Sequence, residues 1–462
     1  MSVKPKNELT YLTNNLKVSE KKFEMKNKAT VAYIGTGHMG RPMIFKLLEL
    51  GYPVQVYDKY PEAAKTVIEA GAVWCNSPQE VAQNADIVLT NLPLPHHVTE
   101  NILGENGALN GMKTGSIWID FSTSDYHNTK YIAGEAKKKG VYSLEAPVSN
   151  LSHMGVDFGN MSFYVSGDKE GFDASQEVLN DVGKISFFVM SKIGEAQAVK
   201  LLTNLLCYTA IVVLGEVLII AKTCGIPLDW MWQFMKASQA NSFAAEQISP
   251  FIFDGSYDNS CSLEIAAKDS DLTVKLAEEF NVPLPLGKII EARYQQAGKT
   301  YKFSENYIIV TKLVEDENNL DLRIPGFIAP SPYGLNRNYV YSNEFVKDDF
   351  GRIKPYPYQF NYNRPEHKLQ EPLEEIAQTL TELMAYINYL VLQESYKLGQ
   401  KIGLSQDLLV KVIRWGCGSS WVSDNENSYQ PNDRIVAKFK DYNFQQKVKT
   451  PTINKIISVL EK

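Results

Sequence analysis

A chain of 462 residues can hold two or three domains at roughly 100 to 200 residues each, and its 44% hydrophobic content permits large cores. A formal net charge of -6, from 47 basic and 53 acidic residues, argues against nucleic acid or an anionic membrane surface as partner. Five cysteines, Cys75, Cys207, Cys224, Cys261 and Cys417, are odd in number and never in CxxC spacing, which fits a reduced, cytoplasmic protein.

Residues 1–28 are rich in Lys, Asn and Glu without an apolar core, so they read as an N-terminal extension and not as a secretory signal. The stretch 31–43, VAYIGTGHMGRPM, organises the rest of the chain. Val31 to Ile34 read as a buried parallel strand, and Gly35, Gly37 and Gly40 fall on GxGxxG spacing. In that spacing the first glycine permits a tight turn, the second lets a pyrophosphate approach the backbone, and the third lets helix and strand pack closely. His38 and Met39 lie inside the loop, with His38 a bystander near the phosphates. A helix over Ile44 to Leu50 closes at Gly51, and a second strand, Pro53 to Tyr57, ends in Asp58. Asp58 lies 18 positions after Gly40, close to the roughly 20 expected of the carboxylate that accepts the ribose hydroxyls of NAD. Asp58 favours NAD over NADP, although Lys59 beside it leaves NADP open.

Helix and strand then alternate. Glu62 to Ala70 and Glu80 to Asn84 read as helices, Ile87 to Asn91 as a strand running into Leu92 and Pro93, and Ser116 to Asp120 as a strand before the loop 121–124. Strands are also expected at Tyr142 to Ala146, Met161 to Val165 and Ser186 to Val189. Together residues 29–192 predict a doubly wound α/β domain that binds its ligand at the carboxyl ends of the strands.

From Gly194 onward helical signals dominate. The helix opening GEAQAVKLLTNLL can run to a stop at Gly225. Its stretch 201–221 is apolar enough to mimic a membrane span of about 20 residues, but Asn204 and Glu216 favour a buried core helix. Further helices are expected over Asp229 to Ala237, Leu263 to Glu279 and Gly287 to Ala297, so that 193–300 forms a first helical unit. Residues 301–370 carry interleaved prolines and aromatics and read as an ordered irregular arm. Helical periodicity returns from Glu371, and 371–462 reads as a second helical unit. A shift of 178 positions pairs Glu216 with Glu394, Gly225 with Gly403, Asp229 with Asp407 and Ser242 with Ser420. These matches fit a duplicated unit, the alternative being two unrelated amphipathic hairpins.

Lys200 and Asn204 are four apart and share one helix face. A partly desolvated lysine there suits general acid or base work, with Asn204 holding the same substrate oxygen; a solvated lysine capping a buried helix is the competing reading. His96, His97 and His153 have no partner at metal-ligand spacing, so no metal site is expected. Ser149 lacks the Gly-x-Ser-x-Gly context of a hydrolase nucleophile.

The segment GTGHMG, the Leu92-Pro93 turn, DFST at 120–123, EAPVS at 145–149, the Lys200 and Asn204 helix, and Lys268-Asp269 within AAKDSDL stand in an order and spacing that resemble the β-hydroxyacid dehydrogenases. That family includes 3-hydroxyisobutyrate dehydrogenase and 6-phosphogluconate dehydrogenase. The resemblance covers roughly residues 29–300. It implies Lys200 as catalytic acid/base, Asn204 as its substrate-positioning neighbour, Ser149 as a substrate carboxylate ligand, and Thr123 and Lys268 near the nicotinamide. Where the family usually has two glycines after the serine, this chain has Asn150 and Leu151, which would narrow or re-aim the substrate pocket. Thr203 and Cys207 stand where the decarboxylating branch has His and Glu, which argues against that branch.

The resemblance implies an NAD-dependent dehydrogenase acting on a small, carboxylate-bearing 3-hydroxy acid or the matching aldehyde or ketone. A non-catalytic NAD-binding scaffold and an imine reductase on the same fold are the alternatives. Short relatives pair with a second subunit to complete the helical core. Here the second unit would do so within the chain, having Gln378 and Glu382 in place of the catalytic pair, and any homodimer would form through another surface.

Overall fold

The computed structural model describes residues 28–149, 161–183, 185–259, 261–327, 364–414 and 416–461. Asn150, Leu151, His153, nearly all of the N-terminal extension, and residues 328–363 of the expected arm lie outside the described residues.

Among the described residues nine strands form one sheet: β1 (Val31–Ile34), β2 (Val54–Tyr57), β3 (Val73–Trp74), β4 (Ile87–Thr90), β5 (Ile117–Asp120), β6 (Tyr142–Glu145), β7 (Val148–Ser149), β8 (Ser162–Gly167) and β9 (Ile185–Met190). The order is β3-β2-β1-β4-β5-β6-β8-β7, with β9 also paired to β8. The run from β3 to β6 is parallel, in the register Val31 beside Val54 and Ile87. β8 is antiparallel to β6 and β7 and parallel to β9. β1, β4 and β5 are buried at every position, which is why their sequences are continuous apolar runs and not alternating ones. The order turns back between β1 and β4, so a crevice opens beyond their carboxyl ends, where open α/β sheets bind ligands.

The glycine loop runs into α1 (Gly40–Glu49), which starts four residues before the first apolar position that marks it in the sequence. The helical part is built around α2 (Glu195–Thr223), in which every residue from Glu195 to Ala221 is buried. α2 is long and apolar enough to cross a membrane, yet its most apolar window is wholly covered by protein, as in a core helix. It is covered by α3 (Leu228–Lys236), α4 (Leu263–Glu279), α5 (Pro285–Tyr301), α6 (Val310–Asn318), α7 (Glu371–Ile402), α8 (Gln406–Arg414) and α9 (Pro451–Leu460).

Contrary to the expectation of an irregular arm, residues 301–370 are helical near their start: Tyr307–Ile309 form a helical turn that continues into α6. Tyr307, Ile308, Val310, Leu313 and Val314 recur at helical spacing and are buried, a stripe that the neighbouring Asn and acidic residues obscure. Gly215 of α2 makes room for this helix, since a Cβ there would lie 3.2 Å from Thr311 Cβ.

The second helical unit packs on the first in a reciprocal manner. Ser242 and Ser420 form an antiparallel bridge. Phe243 N donates to Ser419 O at 2.9 Å, and Trp421 N donates to Asn241 O at 2.7 Å. Each of these partners is its own counterpart's neighbour under the shift of 178, as a local pseudo-twofold axis requires.

The long helices exchange caps in the same way. Glu216 of α2 accepts from Thr452 N and Ile453 N at the start of α9, both at 2.8 Å. Glu394 of α7 accepts from Leu286 N at 2.9 Å and Gly287 N at 3.2 Å at the start of α5. Carboxylates at helix N-termini satisfy amides that the helix leaves unpaired.

Candidate active site

The glycine loop has the shape its spacing predicts. Gly35 has φ +100°, and a Cβ on it would lie 2.3 Å from Asn91 O. On Gly40 a Cβ would lie 2.0 Å from Gly35 O, whereas on Gly37 it would meet nothing within 4 Å. The outer glycines therefore serve the turn and the close packing, and the middle one faces open space that an anion can use. Asp58 at the end of β2 accepts from Thr36 N at 2.7 Å and Thr36 Oγ1 at 3.0 Å through one oxygen, and from Tyr60 N at 2.9 Å through the other. It thus ties the second strand to the glycine loop.

A cavity of about 720 Å³ opens from this loop toward the helical part. Gly37, His38, Met39, Gly40, Leu92, Pro93 and Thr123 line its sheet side, and Lys200, Asn204 and Lys268 line its helical side. The glycine motif, the two strand-end loops and the lysine helix, widely separated in sequence, therefore converge on one space. Lys268 joins the halves: its Nζ donates to Pro93 O at 3.1 Å and to Thr123 O, and pairs with Asp269 at 3.2 Å.

Three buried groups hold α2 so that Lys200 reaches this space. Glu145, at the end of β6, accepts from Gly194 N at 2.7 Å, Ala196 N at 2.8 Å and the Ser166 hydroxyl. Burial pushes its carboxyl up to about 7 against those bonds. Gln197 accepts from Ser124 N and donates to Ser122 O, both at 2.9 Å, and so clamps the first turn of α2 to the loop after β5. Asp120 organises that loop, accepting from Thr90 Oγ1 at 2.8 Å and Ser122 N at 3.1 Å; burial pushes it up to about 6.

Lys200 is 8% exposed and makes no ion pair with a described residue. Asn204 is fixed on both sides. Its Nδ2 donates to Asp269 at 2.7 Å and to Tyr208 OH at 3.3 Å, and its Oδ1 accepts from Cys417 Sγ at 3.3 Å. Sequence reasoning does not single out Asp269, Tyr208, Gln197 or Cys417 as parts of the site. Asp269 stands inside the AAKDSDL motif, which could have marked it, while the other three carry no local pattern.

Ser149 is buried and accepts from Tyr164 OH at 3.0 Å. The second unit meets it there: Tyr164 OH also bonds Val412 O at 3.1 Å, and a Cβ on Gly416 would lie 3.1 Å from Ser149 Oγ. Residues after α8 thus cover the serine from above. Among the described residues no His, Cys, Asp and Glu group could hold a metal ion.

Residues 30–194 match the family model for the NAD binding domain of 6-phosphogluconate dehydrogenase, and 194–313 match that for the NAD-binding domain of NADP-dependent 3-hydroxyisobutyrate dehydrogenase. The chain is 31% identical to mitochondrial 3-hydroxyisobutyrate dehydrogenase of Bos taurus over 304 residues, 63% of this chain and 89% of that one. It is 31% identical to 2-(hydroxymethyl)glutarate dehydrogenase of Eubacterium barkeri over 263 residues, 57% of this chain and 87% of the other. The crystal structure of 3-hydroxyisobutyrate dehydrogenase from Salmonella typhimurium superposes with a TM-score of 0.57 at 25% identity, covering 62% of this chain and all of that one. With its doubly wound sheet, its glycine loop and the lysine helix facing it, the chain belongs to the β-hydroxyacid dehydrogenase family and is an oxidoreductase.

Proposed function

We propose that the protein oxidises a small 3-hydroxy acid, or reduces the matching aldehyde or ketone, with NAD as the preferred cofactor. The observation that carries this reading is the meeting of Gly37, Lys200 and Asn204 on one cavity. Gly35, Gly37, Gly40 and the start of α1 would hold the pyrophosphate, and Asp58 the ribose hydroxyls. When bound, the nicotinamide supplies the hydride acceptor or donor. Lys200 takes the proton of the substrate hydroxyl in oxidation and returns one in reduction. Asn204, held by Asp269 and Cys417, keeps the same oxygen in line with the lysine.

Ser149 is bonded to Tyr164 under the second unit, so a substrate carboxylate is left to Lys268, which lines the cavity beside the acid/base. The five unpaired cysteines agree with a reducing, cytoplasmic setting. The second unit supports one active site per chain, since Gln378 and Glu382 bond each other at 2.8 Å near the surface. A screen of hydroxy acids, including phosphorylated ones, and amino alcohols tests the reading by NADH absorbance. Turnover of a hydroxy acid supports it; NAD binding with no turnover on any member favours the scaffold.

A further inference from the structure

Cys207 and Cys417 come from different helical units and line the same cavity. Cys207 is one turn beyond Asn204 on α2. Cys417 follows α8 and lies on that turn, its Sγ 3.3 Å from Asn204 Oδ1 and 4.0 Å from Thr203 O. The backbone is close as well: a Cβ on Gly418 would lie 2.7 Å from Thr203 O and 3.0 Å from Leu206 Cβ. Of the remaining cysteines, Cys75 and Cys224 do not line the cavity, and Cys261, before α4, does.

We propose that Cys207 and Cys417 form a peroxide-reactive dithiol, a modification site whose oxidation locks the second helical unit onto α2 across the active-site cavity. Both residues are buried, at 3% and 9% exposure, and the cavity they line is the route by which a small hydroperoxide would reach them. The Cys417 thiolate attacks the terminal oxygen of the hydroperoxide ROOH; the S–O bond forms, the O–O bond breaks, and the other oxygen leaves as the alcohol after taking a proton. Cys207 then attacks the sulfenic sulfur, the S–S bond forms, and water departs with the Cys207 proton. Two thiols lose two electrons and the peroxide gains them, so no further reactant is needed. A thiol reductant reverses the step.

The chemistry of the pair assigns the order of attack. Cys417 is lowered to about 7, first by the neighbouring Cys207 thiol and then by the nearby Lys200 against the cost of burial. Cys207 is raised above the ordinary thiol range by the neighbouring Cys417 and by burial. A low-pKa thiol that faces a cavity next to a resolving one is the arrangement that a peroxide sensor needs. Oxidation also withdraws the thiol that donates to Asn204 Oδ1. The resulting loss of turnover rests on the dehydrogenase reading, whereas the dithiol does not.

Titration of the full chain with hydrogen peroxide, followed by alkylation and peptide mass mapping with and without reductant, tests the proposal without any variant. The expected result is a Cys207–Cys417 linked peptide that reductant removes, formed while Cys75 and Cys224 still alkylate. Cys417→Ser and Cys207→Ser should each abolish the linked peptide, and Cys75→Ser should leave it. Oxidation of Cys75 or Cys224 ahead of the pair, or pairing of Cys417 with Cys261, would overturn the assignment. Because the readout is peptide mass, failure to turn over any hydroxy acid would count against the dehydrogenase reading alone.

Discussion

Ser242 and Ser420, equivalent positions of the two helical units, bridge each other directly across the line that relates those units. A contact between equivalents is what a twofold interface between two subunits would place on its axis. In this chain it lies within one molecule, and α2 is buried from Glu195 to Ala221 because helices before and after residue 370 cover it together.

Residues 1–327 expressed alone should therefore aggregate or dimerise, since removal of α7, α8 and α9 uncovers apolar faces of α2 and α5. Light scattering during size-exclusion chromatography measures this. A stable, active monomer would count against the second unit as a required part of the core.

Glu216 and Glu394 each cap a helix of the opposite unit, and burial pushes both carboxyls up to about 7. Glu216→Ala or Glu394→Ala should lower Tm by several degrees, because two buried amides lose their acceptor at about 1–3 kcal/mol. The pH dependence has a definite sign. A carboxyl whose folded pKa lies above its unfolded one binds its proton more tightly when folded, so its contribution is complete below about 4.5. That contribution is lost as pH rises through about 7. Calorimetric Tm should therefore fall between pH 5 and pH 8, with a shallower slope in the Glu216→Gln, Glu394→Gln double variant. An identical slope in the variant would show that these two groups do not titrate with folding.

Asp58 should make NAD bind more tightly than NADP, because its carboxylate accepts from a ribose diol and repels a 2′-phosphate. Calorimetric dissociation constants for the two cofactors decide this. Equal or reversed preference would mean that Asp58 serves only to fasten Thr36 and Tyr60.

The α/β half is legible in the sequence because period and punctuation act locally. Val31 to Ile34 is a buried run, and Gly35 and Gly40 mark positions that a Cβ would block; in the helical part, Leu263 to Glu279 matches its helix end to end. The partners of the catalytic pair are hidden because they depend on chain pairing over long separations. Nothing near Cys417 says that it will meet Asn204, 213 residues away. The surroundings of Ser149 are hidden for a related reason: Gly416 and Val412, more than 260 residues on, lie over it and its partner Tyr164. The two-residue strand β3 and the stripe that forms α6 are too short or too mixed to stand out from their polar neighbours.

If Lys200 moves the proton while the glycine loop holds the cofactor, Lys200→Ala should separate the two roles. The variant is assayed on the hydroxy acid identified by the screen, with NAD binding followed by calorimetry. Expected is a loss of kcat of roughly 10²- to 10⁴-fold with the NAD dissociation constant nearly unchanged. A variant that keeps most of its turnover would contradict the assignment of Lys200 as the acid/base.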